Sequence, residues 1–574
     1  MGLLVILVGA GVWVVTRALV VSDELSAVAE LPDSVETALG DGDVDALGEL
    51  ATRFDQHVSS AVAAAADPFW RAAEVLPGVG ENLRAARIVT EQLDRVSTEV
   101  ATPVVALTSR LTAGELLVDG TLNVDLVSEA AVPLNEARGV LGEARAAIVA
   151  VPREGLVGQV ARGVDEVETM LDQLGSAVGG MADLSTVLPG MLGSDEPRTI
   201  LVMLQNNAEL RSGGGITGSF AEIVADGGAI TMTRQADSSE FRRTTSAILP
   251  VPESTTALYG DIVGRYVQNT TTTPDFDLSA QLASTWWEGL TGHRPDIVLA
   301  IDPLVLRALL PVTGPVTLAG GKELVRDGFI SSVLVAPYLH REPKEQTVFF
   351  QDLTERFFGA VMTSSAAPAA WISALRTPIE QGRVSVWSAD ETEASVLAHS
   401  PFAGPLARHR DAGPDAFAVY FNDGTGSKMD SSLAVELGSV SGSCRADGRP
   451  EVSVQVRLTN EAPADAGEKW PFSMTGSGRW GVTAGHIATA VAIAAPEGWF
   501  FGGTTVDGER RASVDVEDGG FPTSATEVEL APGESALIDV RFVAPDTAER
   551  EPALLHTPLL YPPDEISLTS LPCE

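Results

Sequence analysis

The chain has 574 residues, of which 45% are hydrophobic and 20% charged, and its formal net charge at pH 7 is −40. This length corresponds to about three or four domains, and the apolar content is enough to form buried cores, which excludes a globally disordered chain. A protein this acidic repels phosphate backbones, so we exclude nucleic acid as a partner.

The first element is the apolar segment 1–21, MGLLVILVGAGVWVVTRALVV, in which Arg17 is the only charged side chain. At about 1.5 Å per residue, a helix of this length matches the hydrocarbon core of a bilayer, about 30 Å. A secretory signal peptide is the alternative, but the segment has no basic n-region and its apolar run is long. We therefore predict a single-pass transmembrane helix, with the cell membrane as location and partner.

Residues 22–192 have the pattern of amphipathic helices. Val164, Val167, Leu171 and Leu174, for example, recur at spacings of three and four residues, which places them on one helix face. Proline and glycine residues divide the region into several helices. The pattern predicts a helical bundle or stalk that acts as a spacer without a ligand.

Residues 193–428 have the pattern of an α/β domain. Continuous apolar runs at 200–204 and 297–301 are typical of strands buried on both faces. The turn sequence Asp-Gly-Gly at 226–228 predicts a hairpin, and helical stretches such as 278–290 alternate with the strands.

Residues 429–574 change to a period of two. Val452, Val454, Val456 and Leu458 alternate with polar residues, and turn-forming residues separate such runs. This rhythm predicts an antiparallel β-sandwich.

The chain has two cysteines, Cys444 and Cys573, both in the predicted sandwich. No CxxC motif or Cys/His cluster accompanies them, so a structural metal site is unsupported. In an oxidising compartment they would form one disulfide, and the alternative is two buried free thiols.

The densest polar motif is QNNAELRSGGGITGSF at 205–220, directly after the first buried strand. Open α/β sheets bind ligands at this position, and glycines let backbone N–H groups approach an anion closely. A glycine-rich connection with a capped turn is the alternative, and the spacing fits neither a Walker loop nor a dinucleotide fingerprint. The candidate ligand-binding residues here are Asn206, Asn207, Glu209, Arg211, Gly214 and Gly215.

Two further arginines, Arg242 and Arg243, follow this motif. Guanidinium groups bind phosphate bidentately, so we expect Arg211 and at least one of these two to border one pocket. Under this binding interpretation, Arg211→Ala should leave thermal stability nearly unchanged. If Asp237 and Glu240 neutralise the arginines instead, the group is structural.

Asp275 precedes a predicted helix, and Asp302 ends the buried strand 297–301. Two carboxylates could hold a hard cation such as Mg²⁺ if they meet in the fold. Helix capping explains Asp275 without any ligand. No nucleophile elbow, HExxH or kinase motif is present, so we assign no catalytic residue.

Several motifs together resemble a bacterial family of unknown function, DUF4012. They are LVMLQNNAELRSGGGITGSF, TPDFDLSA and GHRPDIVLAIDPLVLRALLPVTGPV, and the segments DPFWRAAEVLPGVGENL and YFNDGTGSKMD are similar to its actinobacterial members. The resemblance covers nearly the whole chain. It implies an exported cell-envelope protein with no established activity, which also favours a body outside the cytoplasm.

The central domain is more distantly similar to the LytR-CpsA-Psr envelope transferases, which move glycopolymers from a polyprenyl pyrophosphate lipid to the cell wall. The resemblance implies that Arg211, Arg242 and Arg243 face pyrophosphate and that aspartates hold magnesium. The chain departs from that family's Ser-Asp-x-Arg loop, because it has Asn-Ala-Glu-Leu-Arg at 207–211.

These observations predict a multidomain α+β chain with a transmembrane helix at 1–21, a helical bundle at 22–192, a LytR-CpsA-Psr-like α/β domain at 193–428 and a β-sandwich at 429–574. The first functional hypothesis is a membrane-anchored extracytoplasmic envelope protein that binds or scaffolds a surface glycopolymer or its lipid-linked precursor, with other envelope proteins as further partners. The alternative is a LytR-CpsA-Psr-like phosphotransferase that attaches glycopolymers to the cell wall.

Overall fold

The computed structural model describes residues 2–31, 34–35, 37–38, 43–110, 117–118, 121–442 and 445–567. The chain forms two compact units. We call residues 1–195 with 365–376 the helical unit, and residues 196–364 with 377–574 the sheet unit.

The helical unit has a core of small and branched apolar residues. Val58, Leu93, Leu141 and Leu171 lie in it, and all are nearly inaccessible to solvent. Asp43 and Asn123 cap the helices that follow them by accepting backbone N–H groups. Its helices are α1 (Gly2–Ala29), α2 (Val44–Ala65), α3 (Pro68–Ala73), α4 (Gly80–Val96), α5 (Thr102–Arg110), α6 (Val124–Val149) and α7 (Gly158–Met191), with a π-helical turn at Ser97–Ala101 and a short strand pair, β1 (Leu117–Val118) and β2 (Thr121–Leu122).

The prediction of a transmembrane helix at 1–21 is wrong. Across the described ranges, no helix combines the length and the apolar character that crossing a bilayer requires. The apolar run is the first part of α1, which continues to Ala29 through the acidic Asp23 and Glu24. The single-pass anchor and the cell-membrane localisation that rested on it are therefore withdrawn.

Some of the apolar side chains of α1 pack against other helices, whereas Val12, Val15 and Leu19 are exposed. Val21 packs with Ala65, Trp70 and Leu83 in a small core shared with other helices of the unit. Trp13 also donates its indole N–H to Asp67 at 2.9 Å. The side chains of α1 that the sequence pattern assigned to lipid thus include ones that pack inside the helical unit.

The first strands of the sheet unit are β3 (Arg198–Arg211), β4 (Gly214–Asp226), β5 (Ala229–Asp237), β6 (Ile297–Ile301), β7 (Val316–Thr317), β8 (Glu323–Leu324) and β9 (Val384–Ser388). Five of them form a mixed sheet in the order β5-β4-β3-β6-β9, and β7 and β8 form a separate antiparallel pair. Strand β6 runs parallel to β3, and the other three pairings are antiparallel. The hairpin between β4 and β5 turns at Gly227 and Gly228, both with positive φ, as the sequence predicts.

The helices beyond α7 have these bounds. They are α8 (Glu253–Tyr259), α9 (Ile262–Arg265), α10 (Phe276–Thr291), α11 (Pro303–Thr313), α12 (Ala336–His340), α13 (Pro343–Met362), α14 (Pro368–Glu380), α15 (Glu391–Leu397), α16 (Pro405–Asp411), α17 (Ala466–Lys469) and α18 (Phe472–Thr475). Shorter helical turns lie at Ser238–Glu240, Val267–Thr272, Ser331–Val335, Met429–Ser432 and Gly476–Gly478.

Two further sheets share one apolar core and form the β-sandwich. Their strands are β10 (Ala416–Asp423), β11 (Leu433–Gly442), β12 (Glu451–Asn460), β13 (Ile487–Ala494), β14 (Phe500–Val506), β15 (Glu509–Arg510), β16 (Val514–Asp518), β17 (Phe521–Leu530), β18 (Ser535–Val543), β19 (Ala553–His556) and β20 (Asp564–Glu565). One sheet has the order β16-β17-β13-β10-β19 and the other β15-β14-β18-β12-β11-β20. The alternating residues Val452, Val454, Val456 and Leu458 are all fully buried in this core, as their period of two predicts.

The sandwich differs from the prediction in one respect. It is not wholly antiparallel, because β19 pairs parallel to β10 and β20 pairs parallel to β11. The segment from β19 to β20 thus adds one edge strand to each sheet.

The predicted disulfide between Cys444 and Cys573 falls outside the described residues, since both cysteines do. The part of the chain that the structure describes contains no cysteine pair that could form one.

Candidate functional site

The polar motif at 205–220 is the end of β3, its turn and the start of β4. The β3–β4 register breaks between Asn206 and Leu210, so three residues of β3 bulge out of the ladder. Such bulges redirect side chains that a regular strand would place alternately on its two faces. Asn207 and Glu209 project from this bulge and are both buried.

The glycines of the motif are required by packing. A Cβ on Gly215 would overlap the main chain of the Asn206 bulge, and one on Gly214, at φ +126°, would come within 2.6 Å of the Gln205 side chain. Gly213 lies against Thr271 and donates its N–H to the Thr271 carbonyl at 2.9 Å. Close protein contacts therefore account for these glycines without a ligand.

Gly215→Ala should lower the free energy of unfolding of the sheet unit by about 1 to 3 kcal/mol, because the added methyl group must displace backbone atoms. Gly218→Ala is the matched control, since a Cβ there meets nothing within 4 Å. Urea denaturation of the two variants measures the difference. Equal stability of both would contradict the packing explanation.

The bulge meets the segment 423–430 in a buried ionic cluster, formed by Glu209, Arg211, Asp423, Lys428 and Asp430. Arg211 donates to Glu209 at 2.8 Å, and Lys428 forms a second ion pair with the same carboxylate. Burial alone would raise the pKa of Glu209, but the charges of Lys428 and Arg211 outweigh it, and the pKa lies below its usual value.

The remaining Arg211 donors are also occupied. They bind the Asn269 side chain at 3.1 Å and the carbonyl oxygens of Leu210 and Asp423 at 2.7 and 3.4 Å. A guanidinium with a carboxylate partner and this many acceptors has no donor to spare for an anionic ligand. The structure thus makes Arg211 an internal ionic group.

Two acids of the cluster carry raised pKa values. Burial, reinforced by the Glu209 charge, raises the pKa of Asp423 to about 6. Burial and the neighbouring Asp423 raise the pKa of Asp430 well above its usual range. Asp430 accepts the Leu210 N–H at 2.7 Å through Oδ2, while its Oδ1 has no hydrogen-bond partner.

The two asparagines of the bulge contact different parts of the unit. Asn206 donates to the Tyr338 hydroxyl at 2.6 Å. Asn207, with 0% exposure, donates to Asp302 at 3.0 Å and to the Pro558 carbonyl at 2.9 Å, and its Oδ1 has no partner.

The predicted metal pair, Asp275 and Asp302, serves other purposes. Asp302 caps α11 through Oδ1, and its Oδ2 receives the Arg383 guanidinium at 2.6 Å. Asp275 caps α10 by accepting the Leu278 N–H at 3.1 Å. Among the described residues, no three His, Cys, Asp or Glu side chains are grouped so that they could hold a metal ion.

Arg242 and Arg243 are exposed, and neither forms a hydrogen bond or ion pair with the 205–220 motif among the described contacts. Asp237 and Glu240 do not neutralise them but form a capping box at the turn that follows β5. The structure therefore brings Asn206, Asn207, Glu209 and Arg211 together, and it leaves the two exposed arginines outside that cluster.

Two surface pockets adjoin the segment 559–562, and Leu559, Tyr561 and Pro562 border both. The acidic pocket, of about 200 Å³, is bordered by Asp430, Glu461 and Asp564, together with Asn207, Ser431 and Ser432. The basic pocket, of about 240 Å³, is bordered by Arg383, Arg408 and His556, together with Tyr420 and the exposed Glu380.

Apart from Asn207, the sequence patterns did not single out these pocket residues as candidates for binding. Arg383 and Arg408 stand out only as basic residues in an acidic chain, and Tyr561 lies in a proline-rich stretch without a motif. Lys428 lies inside the segment YFNDGTGSKMD, which carried part of the resemblance. That segment was the one available signal for this part of the site.

Comparison with known proteins bears on the bulge and its surroundings. No curated protein and no solved structure matches the chain, so the distant similarity to the LytR-CpsA-Psr transferases gains no support. A family model described as "Protein of unknown function (DUF4012)" matches residues 195–338, which run from the start of β3 into α12. Residues 195–338 of this chain therefore belong to the DUF4012 family.

Proposed function

We propose that this chain is a non-catalytic protein that binds a carbohydrate polymer across Tyr561 and the two pockets beside it. The observation that carries the proposal is the position of Tyr561, which is 52% exposed and borders both pockets. An exposed aromatic ring offers an apolar face, and the hydrogen-bonding groups beside it supply specificity.

The chemistry of the acidic pocket suits sugar hydroxyls. Asp430 and Asn207 border it, and each has a buried side-chain oxygen without a hydrogen-bond partner. Buried polar groups are usually satisfied, so these oxygens favour a ligand or water that forms hydrogen bonds with them. Ser431 and Ser432 add hydroxyl groups at the same surface.

The size of the pockets favours an extended ligand. At about 200 and 240 Å³, each is smaller than the pockets of about 300 to 1,000 Å³ that enclose small-molecule ligands. A chain of sugar rings that crosses Tyr561 would use both pockets at once.

The non-catalytic part of the proposal rests on the charges of the DUF4012 segment. Glu209 is held by Arg211 and Lys428, and Asp302 by Arg383. A general acid, base or nucleophile must reach a substrate atom, and these carboxylates are committed to protein partners. We therefore favour binding over the phosphotransferase alternative.

Tyr561→Ala should weaken binding of a polysaccharide at least tenfold, because it removes the ring that both pockets share. Affinity electrophoresis in gels that contain neutral or acidic polysaccharides measures the retardation. Phe500→Ala is the matched control, since Phe500 is equally exposed but borders neither pocket. Retardation that is absent in the parent protein, or unchanged in Tyr561→Ala, would contradict the proposal.

A further inference from the structure

Arg408 has an unusual environment for a half-buried cation in so acidic a protein. No carboxylate oxygen of the described residues lies within 4 Å of its guanidinium. Its one hydrogen bond goes from Nη2 to the main-chain oxygen of Glu380 at 2.5 Å. Arg211 and Arg383, by contrast, each have a carboxylate partner.

The fold makes room for this guanidinium. Gly382 has φ +70°, and a Cβ there would overlap the Arg408 side chain. Burial lowers the pKa of Arg408, which reflects the cost of keeping the charge away from water. A guanidinium has five N–H donors, and the described hydrogen bonds of Arg408 occupy one of them.

Two neighbouring groups support the same conclusion. Tyr420, which is 3% exposed, borders the pocket, and its hydroxyl has no hydrogen-bond partner. Burial, followed by the charges of Arg383 and Arg408, lowers the pKa of His556, which also borders the pocket. An anion there would offset those positive charges and accept a hydrogen bond from the Tyr420 hydroxyl.

We propose that Arg408, Tyr420 and His556 bind an anionic substituent of the ligand, a phosphate or a carboxylate. This anion site, combined with the proposed binding of a carbohydrate polymer, makes the ligand an acidic polysaccharide. The assignment of ligand class therefore rests on the proposed function. The acidic pocket takes hydroxyl groups on one side of Tyr561, and the basic pocket takes the negative group on the other.

Inorganic phosphate is the first probe, titrated into the full chain and followed by calorimetry and by the ring resonances of His556. The parent protein should bind it, and binding should raise the pKa of His556. Arg408→Gln should weaken phosphate binding at least tenfold. Arg410→Gln is the matched control, because Arg410 is exposed on the same helix and does not border the pocket.

Tyr420→Phe provides a second test that does not threaten folding, since the hydroxyl it removes has no partner. We expect unchanged or higher thermal stability and about threefold weaker phosphate binding. Glucose 1-phosphate and glucuronate then distinguish the two sources of negative charge. Tighter binding of the first identifies a phosphate, and tighter binding of the second a carboxylate.

Failure to bind phosphate at tens of millimolar, or equal loss in the Arg408 and Arg410 variants, would overturn the proposal. The second result would indicate general electrostatic attraction rather than a site. If Tyr561→Ala leaves polysaccharide binding unchanged while Arg408→Gln loses phosphate, the polymer assignment fails and the anion pocket stands.

Discussion

Arg211→Ala should lower the free energy of unfolding of the sheet unit by about 3 to 5 kcal/mol, the range expected when one partner of a buried ion pair is removed. The Arg211 side chain is 6% exposed, and its loss leaves Glu209 with Lys428 as its one cationic partner in the cluster. The Asn269 and Asp423 oxygens that it binds also lose a donor.

This expectation reverses the one that the sequence alone supports, in which Arg211 binds a ligand and contributes little to stability. Differential scanning calorimetry of the full chain measures the effect, and Arg242→Ala, at an exposed arginine, should change stability by less than about 0.5 kcal/mol. A loss below about 1 kcal/mol for Arg211→Ala would return Arg211 to the list of ligand-binding candidates.

The stability of the sheet unit should fall as the pH rises from about 4 to about 7, because the buried acids Asp423 and Asp430 hold their protons more tightly in the folded state than in the unfolded one. A raised carboxyl pKa stabilises the fold below the unfolded pKa, and that contribution is lost as the pH passes the folded value, about 6 for Asp423. An increase of about two in pKa corresponds to about 3 kcal/mol. Glu209 acts in the opposite sense. Its lowered pKa stabilises the fold above the usual pKa of a glutamate, and this contribution is lost only as the pH falls below that usual pKa.

Asp430→Asn isolates this effect, because an amide keeps an acceptor for the Leu210 N–H and removes the charge beside Asp423. The variant should be more stable than the parent at pH 8 by about 1 to 3 kcal/mol and equal to it at pH 5. Asp564→Asn changes the net charge equally at an exposed position and is the control. Urea titrations at both pH values measure the difference, and a less stable Asp430→Asn at pH 8 would refute the account.

Local patterns in the sequence predict much of the sheet unit. The alternation from Val452 to Leu458 places those side chains in the sandwich core, and the Asp-Gly-Gly turn gives the β4–β5 hairpin. Each of these features depends on residues that are close in the chain, so a periodicity or a turn motif is enough to identify it.

The partners of the charged residues could not be predicted in the same way. Arg211 points to Glu209, two residues away, but the second cation on that carboxylate comes from Lys428. Asp302 likewise pairs with Arg383. Charge patterning identifies candidate ions, but only the fold decides whether a distant side chain or a ligand neutralises them.

The apolar N-terminal segment shows the same limit for hydrophobicity. Its length fits a bilayer, yet Val21 packs with Trp70 and Leu83 inside the helical unit. An apolar helix face is buried equally well by lipid or by other helices, and composition alone does not distinguish them.

The parallel edge pairings of β19 and β20 have a consequence for how the sheet unit forms during synthesis. In the segment between these two strands, the Pro558 carbonyl accepts a hydrogen bond from Asn207 and the Leu559 carbonyl accepts one from Arg383. The ribosome makes Asn207 and Arg383 much earlier than this segment. Until that segment emerges, the edges of β10 and β11 stay open and the bulge lacks an acceptor. Nascent chains therefore carry two unpaired strand edges from the synthesis of β10 and β11 until β19 and β20 have been made, and such edges invite pairing between neighbouring chains.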